Sequence, residues 1–149
     1  MTDAKTGRRP IVYVLVGVLV LLAVLLGRLL WSYIVPTKPV DADQVTDILL
    51  EDGNTVNGPQ RSLKDTGELE RMAELLGQLK LKKAFFSDNR WTNCGVESWT
   101  ITVRMGTRSV TLLLNADGEA GMDGHRYEVL EGRDQARQAA ELCQRLIAS

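Results

Sequence analysis

The sequence predicts an α+β protein: one N-terminal transmembrane helix, then a small antiparallel sheet packed against two helices, in the order β-β-α-β-β-β-α. Three observations carry this. Ile11 to Leu26 contains no charged residue. Residues 99–105 alternate apolar and polar side chains with the period of a strand. Two later stretches repeat apolar residues at the three-and-four spacing of a helix face.

The apolar run comes first. Ile11 to Val35 is 25 residues with one charge, Arg28. A bilayer core of about 30 Å needs about 20 helical residues, so the run is long enough to span with some tilt. Arg28 lies roughly 26 Å along a helix from Ile11, at 1.5 Å per residue. That depth is near the far edge of the hydrocarbon, where a long side chain reaches the headgroups. Trp31 and Tyr33 follow as an interfacial aromatic belt would. Arg28, Trp31 and Tyr33 are therefore expected at the outer interface.

Lys5, Arg8 and Arg9 precede the run, against Arg28 and Lys38 on the far flank. The positive-inside rule then makes residues 1–10 a cytoplasmic tail, residues 11–35 the membrane anchor, and the rest extracytoplasmic. A cleavable signal peptide would share the basic and apolar regions. It would also need a small-x-small site close behind, and the nearest, Val40-Asp41-Ala42, lies well beyond the run. The expectation is an uncleaved signal anchor of a single-pass protein in the cell membrane. The run lacks the cleavage motif and early glutamate of type IV pilins, and no lipobox cysteine is present. Ala23 and Gly27 form a small-xxx-small pair, a candidate helix contact with a membrane partner.

Residues 36–149 hold 14 Lys and Arg against 18 Asp and Glu, a net charge of −4. An acidic domain without a basic patch excludes nucleic acid as a partner. The partners expected are the lipid bilayer and a membrane or envelope protein. Residues 36–44 read as a Pro/Asp-containing linker, which leaves 45–149 as the domain. Val45–Glu51 reads as a strand, and "EDGNTV" as an Asp-Gly turn into a second strand near Thr55–Asn57. Asp65 and Glu68 resemble a capping box. The following helix carries Leu69, Met72, Ala73, Leu76 and Leu79 on one face, and Lys80, Lys82 and Lys83 fit its solvated end. Trp99–Met105 and Arg108–Leu114 are strands joined at Gly106-Thr107. "NADGEAGMDGH" is a glycine-rich loop or short hairpin, and Arg126–Leu130 a further strand. The last helix presents Ala136, Ala139, Ala140, Cys143, Leu146 and Ile147 together. Helices on one face of the sheet would bury every stripe at once.

This layout, with "LNADGEA" and "GHRYEV" around its second hairpin, resembles small membrane-anchored extracytoplasmic domains of unknown function in Gram-positive bacteria. The resemblance implies an envelope α+β domain and transfers no site residues.

The chemistry is sparse. Cys94 and Cys143 are the two cysteines, and an oxidising compartment would allow a disulfide between them. His125 is the sole histidine, so no zinc set and no Gly-x-Ser-x-Gly triad is expected. In "NADGEAGMDG" the residues Asn115, Asp117 and Glu119 alternate, but the twelfth position is Arg126, so an EF-hand fails. No cofactor is expected. Phe85, Phe86 and Trp91 are a candidate partner patch. The leading expectation is a non-enzymatic binding or interaction module. The alternatives are an envelope enzyme using Asp88, Glu97, Asp117 or Asp123 as acid and base, or a structural subunit of a membrane complex.

Overall fold

The computed structural model describes residues 8–55, 57–64, 66–84 and 97–149. The chain divides into two compact units, Met1–Ile34 and Val35–Ser149.

The first unit is a single helix, α1 (Arg8–Ile34). Its Pro10–Ile34 portion contains an 18-residue window with a mean hydropathy of 2.8, none of it buried among the described residues. At 1.5 Å per residue, 25 residues extend about 37 Å, more than a hydrocarbon core of about 30 Å. The helix is thus long and apolar enough to cross a membrane. Valines and leucines lie exposed all around it, a surface that suits an apolar environment and not water.

The second unit is an α+β domain, as expected. Its strands are β1 (Val45–Asp52), β2 (Gln60–Leu63), β3 (Lys80–Lys83), β4 (Ser98–Met105), β5 (Arg108–Asn115), β6 (Ala120–Met122) and β7 (His125–Glu131). Its helices are α2 (Thr66–Gly77) and α3 (Arg133–Ala148). The strands form one sheet, in the order β2-β1-β4-β5-β6-β7-β3. Every neighbouring pair is antiparallel.

Alternation in the centre of the sheet dictates the core. Ile48 and Leu50 of β1 stand opposite Val103 and Ile101 of β4, which stand opposite Val110 and Leu112 of β5. All six are buried. The residues between them, such as Thr100, Thr102 and Arg104, point to the wetter face. Both helices cover the apolar face. From α2 come Met72, Ala73 and Leu76, and from α3 come Ala136, Ala139, Ala140, Cys143 and Leu146. Alanine at three of these positions keeps α3 narrow enough to pack against both α2 and the sheet.

Two elements differ from the sequence expectation, and a third, read as a loop or short hairpin, takes the hairpin form. Lys80–Lys83 is an edge strand, not a helix end. The helix stops at Gly77, and Leu81 then points inward while Lys80 pairs with Glu131 and Lys82 with Glu128 on β7. Opposite charges facing each other across strands favour that register. The second strand lies at Gln60–Leu63 and not Thr55–Asn57. The Asp52 carboxylate accepts hydrogen bonds from the Asn54 backbone (2.9 Å) and the Thr55 hydroxyl (2.9 Å), so the turn runs on past Asn57. The glycine-rich stretch contains a true strand, β6. Met122 and His125 close its hairpin around Asp123 (φ 49°) and Gly124 (φ 81°), the two left-handed positions that an Asp-Gly turn supplies.

The stretch read as a linker is part of the domain. Thr37 exchanges both backbone hydrogen bonds with Leu81 (2.6 and 2.8 Å), and Val40 is fully buried in the core. Ala42–Gln44 forms one 3-10 turn before β1.

Candidate functional site

A cleft of about 640 Å³ opens on the surface of the α+β domain. Ligand pockets span about 300–1,000 Å³, so the volume is of the right order. Three distant segments build it: Pro36 and Lys38, the Gly77–Lys80 turn and edge, and Glu131, Gly132 and Gln135.

Two glycines set its walls. Gly132 has φ 85°, and a Cβ there would stand 2.8 Å from the Gln78 carbonyl oxygen. Only glycine lets the start of α3 approach the Gln78–Leu79 turn this closely. Gly77 ends α2 beside Ala42, whose Cβ would lie 3.1 Å from an added one.

The polar groups are unevenly engaged. Lys80 Nζ contacts Glu131 Oε1 at 2.8 Å across one wall. Lys38 is exposed and has no ion-pair partner among the described residues. Gln78 is exposed and Gln135 half-buried, and both line the cleft. Lys38 itself is held between two fixed points, the Thr37–Leu81 bridge before it and buried Val40 after it. Two lysines against one carboxylate leave the lining with a small positive excess.

None of these residues is singled out by the sequence alone. The one local signal is the placement of Gly132 at the start of the last predicted helix. The topology that brings them together is long-range.

The sequence-derived candidates fall elsewhere. Arg28 and Trp31 are exposed on α1, and Tyr33 is half-buried. Ala23 and Gly27 face outward, and a Cβ at Gly27 would meet nothing within 4 Å. Phe85, Phe86, Trp91, Asp88 and Cys94 lie outside the described residues. Cys143 is a free thiol, fully buried among the core side chains, so the expected bridge to Cys94 is not formed in this structure. Its position in the apolar stripe of α3 makes it a small core residue.

Two of the four candidate carboxylates, Asp123 and Glu97, make hydrogen-bonding contacts within the domain. Asp123 Oδ1 accepts the Thr111 amide at 3.1 Å and fixes the β6–β7 turn. Asp117 sits in the β5–β6 turn, where its carbonyl accepts from Arg137 Nε at 3.4 Å. Glu97 contacts the Gln144 amide at 3.5 Å and lines a smaller cleft of about 320 Å³ with Asp52. Both Asp52 oxygens are already committed to the turn described above. Asn115, of the failed calcium loop, exchanges hydrogen bonds with Glu119 and closes the β5–β6 turn. His125 holds Nδ1 buried without a hydrogen-bond partner among the described residues. No group of three His, Cys, Asp or Glu side chains able to hold a metal occurs among them.

Burial pushes the Cys143 thiol up to about 12 from its ordinary 9.0. A raised value in the folded state means that stability is intact below pH 9 and is lost as pH rises through 12. In a Cys94→Ser chain, Cys143 should resist a thiol reagent at neutral pH and react fully once denaturant is added. Prompt reaction in the folded chain would contradict its burial. Replacing Cys143 by Ala should also flatten the alkaline loss of stability between pH 9 and 12.

No known family model, curated protein or solved structure matches this chain.

Proposed function

We propose that the protein is a single-pass membrane protein whose Val35–Ser149 domain stands on the extracytoplasmic side as a non-enzymatic binding module of the cell envelope. One observation carries the reading: the 25-residue Pro10–Ile34 stretch of α1 is largely apolar, and none of its 18-residue apolar window is buried among the described residues. In water that surface would cost on the order of 1.5–3 kcal/mol for each large side chain left exposed. A bilayer removes the whole of that cost.

Orientation rests on the flanking charges. Lys5, Arg8 and Arg9 precede the apolar run, and the domain beyond it is acidic. The positive-inside rule keeps the basic flank in the cytoplasm. The binding reading draws on the cleft at Lys38, Gln78 and Gln135, and on the carboxylates of Asp52 and Asp123, which are tied into turns. The layout resemblance to anchored envelope domains belongs to the same reading.

Protease added outside intact cells should remove the 35–149 domain and leave α1 in the membrane fraction. Complete protection of the domain would reverse the orientation. A mature chain that starts beyond Ile34 would make α1 a signal sequence instead of an anchor.

A further inference from the structure

We propose that the cleft beside Lys38 receives the phosphate-bearing headgroup of an anionic phospholipid. The inference rests on the membrane-anchor reading and adds a ligand class to it.

The covalent chain provides the first argument. Pro36 and Lys38, both in the cleft lining, follow Ile34 by two and four residues. Four residues extend at most about 14 Å, at about 3.6 Å each. The polar layer of one leaflet is about 5–8 Å thick, taken from a bilayer of about 40–45 Å with a core of about 30 Å. If α1 ends at the interface, Lys38 is therefore tethered within reach of the headgroups. A soluble ligand has no such advantage.

The second argument is charge. Glu131 is paired with Lys80 at 2.8 Å, which leaves Lys38 as the cation of the cleft without an ion-pair partner among the described residues. One net positive charge matches the single negative charge of a phosphodiester headgroup. The side-chain amides of Gln78 and Gln135 can donate to the phosphate or to hydroxyl groups attached to it.

The third argument is preorganisation. Lys38 is held by the hydrogen bonds of Thr37 to Leu81 and by the buried Val40, so its backbone is fixed before any ligand arrives. Fixing the backbone that carries the cation lowers part of the entropy lost on binding. Gly132 holds the opposite wall close to Gln78, and the space between is large enough for a headgroup.

The test uses the full chain in nanodiscs, made either of phosphatidylcholine alone or with a minority of phosphatidylglycerol. Hydrogen exchange is followed in peptides covering residues 76–82 and 130–136. Phosphatidylglycerol should slow exchange there by about threefold, the effect of a ligand at about twice its Kd. Lys38→Gln should abolish the difference while leaving exchange in the β4–β5 core unchanged. Equal exchange in both discs would overturn the proposal, as would a lipid effect that survives in Lys38→Gln. Slowing by inorganic phosphate in phosphatidylcholine discs would assign the cleft to a soluble anion and also overturn it. A chain that fails to enter discs of either kind would overturn the anchor reading itself, a result distinct from lipid-independent exchange.

Discussion

Gly132→Ala is expected to destabilise the domain by about 3 kcal/mol, the sum of two penalties that fall on one atom. The backbone there has φ 85°, a left-handed conformation that costs a residue with a Cβ roughly 1–2 kcal/mol. The new Cβ would also sit 2.8 Å from the Gln78 carbonyl oxygen and 3.1 Å from the Leu79 side chain. Overpacking of this kind costs typically about 1–3 kcal/mol, and here the nearest atom is backbone, which cannot swing aside. Gly124 separates the two penalties. It has almost the same φ, 81°, but nothing within 4 Å of its Cβ position. Gly124→Ala should therefore cost only the conformational part, about 1 kcal/mol. Urea unfolding of both full-length variants in detergent, followed by far-ultraviolet circular dichroism, measures the difference. Equal losses would show that the close approach of α3 to the Gln78–Leu79 turn carries no energy. That approach also forms the cleft wall, so the same variant should widen the site.

The contrast between these two glycines shows what a sequence reveals locally and what it does not. Gly124 follows Asp123 in an Asp-Gly pair, and a hairpin there is legible from two residues. Gly132 is legible as the start of a helix, but its contact with Gln78 joins positions more than fifty residues apart. The central strands are readable for a similar reason. In β4 the alternation of Trp99, Ile101, Val103 and Met105 runs the length of the element and fixes its buried face without reference to any partner. The stripe of α3 is equally self-sufficient.

The four residues of β3 are not. "KLKK" fits the last turn of a helix by composition, since cations favour helix C-termini. What makes it a strand is non-local: Glu131 and Glu128 opposite two of its lysines, and Thr37 bonded to Leu81 on its other side. The segment before β1 follows the same logic. Two prolines and two aspartates suggest a linker, yet Val40 fills a place in the core and Thr37 covers part of the sheet edge. An edge strand left bare is a site for unwanted pairing, and this short strap limits it. The cleft inherits this illegibility, because each of its three segments is defined by pairing with another. Cys143 shows the opposite case. Its place in the apolar stripe of α3 is visible from spacing, and the core position that the stripe implies is the one it occupies.

If α1 spans the membrane as proposed, Leu22→Arg is expected to lower the protein's membrane partition several hundredfold, whereas Arg28 is expected to be tolerated. The two positions share a helix and differ in depth. Leu22 is the midpoint of Pro10–Ile34. An arginine at the centre of a spanning helix costs about 2.5–3.5 kcal/mol, and loss of the leucine adds about 0.5 kcal/mol. The total, about 3–4 kcal/mol, corresponds to a shift of several hundredfold in partition, taking 1.4 kcal/mol per factor of ten. Arg28 lies six residues further on, about 9 Å closer to the end of the helix at 1.5 Å per residue. Its side chain is long enough to carry the guanidinium to the headgroups, beside Trp31 and Tyr33. The measurement is the fraction of full-length protein that alkaline carbonate extracts from membranes. Native protein and Arg28→Leu should both resist extraction, and Leu22→Arg should be extracted to a measurably greater extent. Equal retention of Leu22→Arg would mean that the helix does not span, or that a partner supplies a counter-charge at its centre. Extraction of the native protein would remove the anchor altogether. On the anchor reading, depth along α1, and not the mere presence of a charge, is the property that would let a spanning helix carry Arg28.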